Sequence, residues 1–135
     1  QAVLAYEAFQ STFSGPRWEA LAQHGAKVQR PLWASTSTKN PSYPDTLYVD
    51  QLIGADTVNT LPDNTMLAFN DHGTPKSTIQ SDIDLAHNRW HALSGLGVDV
   101  ADVASQLESE GVRSFQQSFT ELIDALKTKD QAFHL

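Results

Sequence analysis

The 135-residue sequence predicts a mixed α/β chain that is mostly helical and carries only two short strands. Three observations support this. Apolar residues recur at spacings of three and four through most of the chain. Two short β-compatible segments, residues 28–36 and 57–61, are separated by a single helical segment. Glycine or proline stands at nearly every change of pattern.

Residues 2–13 place Val3, Tyr6, Phe9 and Phe13 on one face, which predicts a first helix. Ser14-Gly15-Pro16 breaks it, because proline has no amide hydrogen to continue the ladder. A second helix is expected over residues 18–24, with Gly25 as its C-terminal cap. Residues 28–36 (VQRPLWAST) then read as a strand, with Pro31 tolerable near its beginning. Asp45 or Thr46 can cap a helix over residues 47–53, closed by Gly54. The second strand, TVNTL at residues 57–61, ends at Pro62.

Everything beyond Asp63 reads as helix. One helix is expected from Asp63 or Asn64 to Asp71, ended by Gly73, and residues 73–80 form a loop around Pro75. Ile83, Ala86, Trp90 and Leu93 form a helical stripe closed by Gly95 and Gly97. Val100, Val103, Ala104 and Leu107 form another, expected to stop at Gly111. Val112, Phe115, Phe119, Leu122, Ile123 and Leu126 line one face of a last helix, and residues 128–135 are expected to fray.

Two parallel strands joined through a helix make a right-handed crossover in nearly all cases. A two-stranded parallel sheet is not stable by itself, so this unit asks for neighbouring strands. The chain also opens on Gln1, already inside a helical pattern. Both features lead us to expect a piece of a larger fold.

Composition narrows the function. Nine Lys and Arg against sixteen Asp and Glu give a net charge of −7, which opposes phosphate backbones, so no nucleic-acid partner is expected. No apolar run is long enough for a membrane helix, so no membrane partner is expected either. The chain has no cysteine, which removes disulfides, thiol nucleophiles and cysteine metal sites.

The polar run Ser35-Thr36-Ser37-Thr38-Lys39-Asn40 follows the first strand, and ligands of α/β folds bind at the carboxyl ends of parallel strands. Hydroxyls with one ammonium suit a phosphate. Composition alone favours a solvated turn. His87 and His91 have the i, i+4 spacing of a metal pair, but no third ligand accompanies them, so they read as surface histidines and no metal is expected. Asp71-His72 is explained by the preference of a helix C-terminus for histidine. The pairs Asp82/Asp84 and Glu108/Glu110 fall on different helix faces and are poor acid/base partners.

The run KVQRPLWASTSTKNPSYPDTLYVDQLIGADTVNTLP, residues 27–62, closely resembles transaldolases of the branch found in actinobacteria, cyanobacteria and plants. The preceding LAYEAFQSTF and RWEAL, and the later GVDVADVASQLESEGVRSF, resemble the same branch. The resemblance implies that the chain is the C-terminal part of a (β/α)8 TIM barrel, with residues 32–35 as the seventh strand and 57–61 as the eighth. It implies that residues 1–135 form one incomplete segment of a single barrel domain.

The implied activity is transfer of a dihydroxyacetone unit between phosphosugars of the pentose phosphate pathway through a Schiff-base lysine, without cofactor, in the cytoplasm or a plastid. Phosphate sites of such barrels form from the loops after strands seven and eight. Ser35 matches a serine that contacts substrate phosphate, Lys39 falls where many members carry an arginine, and Thr36 and Thr38 complete the candidate set. The Schiff-base lysine and acid/base carboxylates of the family lie on earlier strands. None of Lys27, Lys39, Lys76, Lys127 and Lys129 matches the lysine motif, so no catalytic residue is assigned here. The expected partners are phosphosugars, the N-terminal part of the same enzyme and a second copy of the chain. The rival expectation is a non-catalytic helical module of the same ancestry that acts by association.

Overall fold

The computed structural model describes residues 1–133. Its elements follow the order α1 (Ala2–Thr12), α2 (Gly15–Gln23), β1 (Leu32–Trp33), α3 (Leu47–Gln51), β2 (Val58–Asn59), α4 (Asp63–His72), α5 (Ile83–Gly95) and α6 (Val100–Phe133). The chain divides into two compact units, Gln1–Trp90 and a second from His91 onward.

In the first unit, the apolar face of α1 continues into α2 as an aromatic ladder. Tyr6 and Phe9 have ring centroids 5.7 Å apart, Phe9 and Phe13 5.4 Å, and Phe13 meets Trp18 edge-on at 4.8 Å. Such pairs add about 0.5–1.5 kcal/mol each beyond the area they bury. Pro16 does more than break α1. It sits in the first turn of α2, where a missing amide hydrogen is harmless, so α2 starts three residues earlier than expected. Gly25 follows the end of α2 with φ +89°, as a C-terminal cap requires.

The two strands pair in parallel with Leu32 opposite Val58 and Trp33 opposite Asn59, as the crossover expectation requires. Both are two residues long, far shorter than the expected 28–36 and 57–61. β propensity extends over the longer stretches, but a ladder needs partners. Here each strand has one neighbour among the described residues, Ser35 turns into a left-handed conformation at φ 58°, and Pro62 follows β2. The ladder is extended by the Val58 amide donating to the Pro31 carbonyl and the Thr60 amide to the Trp33 carbonyl, both at 2.9 Å.

The core of this unit is small. Tyr6, Val49 and Ile79 are its buried apolar side chains, and Thr36, Thr46 and Thr65 are buried with them. The Tyr6 hydroxyl donates to the Ala55 carbonyl at 3.0 Å, so the ring is buried without leaving its oxygen unpaired. Gly54 lies where Ile79 and Tyr6 converge. A Cβ there would sit 2.5 Å from Ile79 Cγ2 and 3.3 Å from Tyr6 Cζ, so close approach explains this glycine. The Thr78 and Ile79 amides both donate to the Ile53 carbonyl, at 2.9 and 3.1 Å, which fastens the 73–80 loop beside α3.

Thr46 does occupy the N-cap position of α3, but its hydroxyl donates to Asp50 Oδ2 at 2.7 Å instead of capping an amide. Gly73 ends α4 as expected, its amide donating to Phe69 O at 2.8 Å.

The second unit corrects two expectations. The pattern predicts a stop at Gly111, yet α6 runs unbroken for 34 residues. One mid-helix glycine costs only about 1 kcal/mol relative to alanine, which good helix formers on both sides outweigh. The helix is also nucleated well: Asp99 Oδ1 accepts the amides of Ala101 and Asp102, both at 3.0 Å. Fraying from Thr128 is likewise not observed, since α6 continues to Phe133. Residues 134 and 135 of that expectation lie outside the described residues. No helix among the described residues is long and apolar enough to cross a membrane.

Candidate functional site

The short parallel pair places its two carboxyl ends side by side, and the polar run begins there. Ser35 is exposed, Thr36 is buried, Ser37 and Thr38 are half-buried, and Lys39 and Asn40 are exposed. The four expected residues therefore share one loop but differ in what they can offer. Ser35 and Lys39 present a hydroxyl and an ammonium to solvent. Thr38 is partly accessible.

Thr36 faces inward, 4% exposed, and its hydroxyl donates to Asn59 Oδ1 at 2.8 Å, with the Thr60 carbonyl 3.4 Å away. Its single proton follows the shorter contact. Downstream, Asn40 Oδ1 accepts the Ser42 amide at 2.9 Å, a local turn that closes the loop.

Asn59 and Thr60 were not anticipated. The Thr60 hydroxyl reaches the Trp33 carbonyl at 3.4 Å, alongside the main-chain bond. The available signal was a polar asparagine inside TVNTL, since residues at the ends of adjacent parallel strands share one edge.

The other sequence candidates fall elsewhere. His72 joins Asp71, its chain neighbour, at 3.1 Å and also Asp45 at 2.9 Å, a partner 27 residues away. Its pKa is raised, first by the hydrogen bond it donates to Asp45 and next by that to Asp71, while His72 lowers that of Asp45. His87 pairs through Nε2 with Glu7 Oε2 at 2.8 Å. Lys127 lies 3.7 Å from Asp124 on the exposed surface of α6. A groove of about 450 Å³, lined among others by Val3, Ile79, Leu85 and Arg89, shares no residue with the strand ends.

Residues 1–126 match the family model described as Transaldolase/Fructose-6-phosphate aldolase. A transaldolase of Parafrankia sp. is 54% identical over 125 residues, 92% of this chain and 34% of that protein. A transaldolase of Frankia alni is 52% identical over 124 residues, covering 91% of this chain and 33% of that protein. One from Neisseria gonorrhoeae is 46% identical over 122 residues, 90% of this chain and 35% of that protein. The chain thus spans about a third of the length of these curated relatives. The match runs through the strand ends and their polar loop as well as the helices, and the chain belongs to the transaldolase/fructose-6-phosphate aldolase family.

Proposed function

We propose that this chain is the C-terminal third of a transaldolase barrel and forms the part of its active site that grips the substrate phosphate. The observation that carries this reading is the family match over residues 1–126, which includes the strand ends and the Ser35–Lys39 loop. In the reading, β1 and β2 are the seventh and eighth barrel strands, and the rest of the barrel supplies the other six. The reaction transfers a dihydroxyacetone unit between phosphosugars, with the Schiff-base lysine and the acid/base carboxylates in the remaining two thirds.

The division of labour follows from chemistry. A Schiff-base lysine needs a desolvated, neutral amine. Lys39 is exposed on a polar loop, which suits a charge contact with phosphate instead. Ser35 adds a neutral donor, and Thr38 stands beside them. Binding energy gathered at the phosphate end of the sugar orients the carbon that reacts.

The test is reconstitution. This chain would be co-expressed with the part of the Parafrankia transaldolase that lies outside the matched stretch, then treated with borohydride and fructose 6-phosphate. The expected result is a trapped adduct on the longer chain and transfer activity that depends on both chains. An adduct on a lysine of this chain, or full activity of the longer chain alone, would defeat the proposal.

A further inference from the structure

Resting on the phosphate-binding reading, we propose that Thr36 and Asn59 are positioning residues that hold Ser35 in the backbone conformation in which it meets the phosphate. Ser35 has φ 58°, in the left-handed region that L side chains rarely adopt. Asp56 is the other described non-glycine residue with positive φ, at 59°, but aspartate is enriched there and serine is not. A conformation of this kind persists only where the surroundings over-determine it. Around Ser35 they do.

Two residues before it, the Trp33 carbonyl accepts the Thr60 amide at 2.9 Å and faces the Thr60 hydroxyl at 3.4 Å. One residue after it, the buried Thr36 hydroxyl donates to Asn59 Oδ1 at 2.8 Å. Both anchors stand on consecutive residues at the end of β2. Ala34 and Ser35 must bridge them, and the bridge forces the left-handed turn.

Ser35 itself is exposed, and its hydroxyl has no protein partner among the described residues. A free donor on an immobilised backbone is what a preorganised ligand contact needs, because little freedom is lost on binding. Thr36 then acts through Ser35 and touches no ligand itself.

The test follows the backbone amides of this chain, ¹⁵N-labelled and assembled with the unlabelled longer chain of the reconstitution, by NMR during titration with inorganic phosphate and, separately, with fructose 6-phosphate. Saturable shifts are expected at Ser35 and Lys39. Thr36→Val should weaken the affinity read at Ser35 about tenfold, the loss of one hydrogen bond to a charged ligand. Thr36→Ser, which keeps the hydroxyl, should stay within about twofold of the parent, a rescue that a purely packing role for the threonine methyl would not give. Asn59→Leu attacks the same bond from the other strand and should match Thr36→Val, and it carries the test if Thr36→Val does not fold. Unchanged affinity in a folded Thr36→Val or Asn59→Leu chain would overturn the positioning role and leave phosphate binding standing. Silence at both Ser35 and Lys39 in the parent chain would instead overturn phosphate binding, and this role with it.

Discussion

His72 Nε2 lies 2.9 Å from Asp45 Oδ1, joining the end of α4 to the residue that precedes the α3 N-cap. The Nδ1 of the same ring lies 3.1 Å from Asp71 Oδ2. A neutral imidazole has one N–H, so both contacts are hydrogen bonds only in the imidazolium. The clasp is therefore sensitive to pH.

The sign follows from the directions of the two shifts. His72 is raised above its ordinary 6.5, so its contribution is complete below that pH and is lost as pH rises through its folded value. Asp45 is lowered from its ordinary 3.8, so its contribution is present above that pH and is lost as pH falls through its folded value. Between the two, the clasp is closed. Denaturant titrations at a series of pH values should show stability declining above pH 6.5, and His72→Gln should flatten that decline. An identical pH profile in the variant would refute the clasp.

Gly54→Ala should destabilise the first unit by about 1–3 kcal/mol, the usual range for an overpacked core. The new methyl would lie 2.5 Å from Ile79 Cγ2. Ile79→Ala removes that atom, so the double variant should lose less than the sum of the two single losses. Urea denaturation of the four proteins reads the coupling, and strict additivity would exclude the contact.

Lys39→Met should raise the apparent KM of the reconstituted enzyme for a phosphosugar about tenfold while leaving kcat within about twofold, because the ammonium binds the non-reacting end of the substrate. Lys39→Arg should keep the low KM, since a guanidinium supplies the same charge with an additional fork of donors. Steady-state kinetics decide the matter. Equal losses in KM and kcat would place Lys39 in the chemical step instead.

Gly111→Ala should stabilise α6 by about 0.5–1 kcal/mol, the helix-propensity difference. A Cβ at this position meets nothing within 4 Å, so no packing cost opposes the gain. Thermal melts followed by circular dichroism would show it. A drop in helicity would mean that Gly111 interrupts the helix after all.

These residues also mark how far the sequence could be read. The face carrying Tyr6, Phe9 and Phe13 and the breaks at Gly25, Gly73 and Gly95 were legible because spacing and punctuation are local properties. Gly111 misled for the same reason: its cost is local, whereas continuity of α6 depends on the Asp99 cap and on the residues to either side. The strands were overestimated because propensity says nothing about how many neighbours a ladder has. At the loop, Ser35 and Lys39 are singled out by resemblance alone, because composition by itself favours a solvated turn. The bond between Thr36 and Asn59 spans 23 residues, and that between His72 and Asp45 spans 27, so neither follows from any spacing rule.

Trp33 pairs in register with Asn59, and its indole Nε1 is buried without an acceptor among the described residues. An indole proton withdrawn from water and free of any hydrogen bond exchanges slowly and has a resonance governed by its immediate surroundings. The strand ends therefore contain a built-in spectroscopic reporter. Closure of neighbouring strands over β1 and β2, or arrival of a hydrogen-bond acceptor beside Asn59, would register at this one proton without any label being introduced.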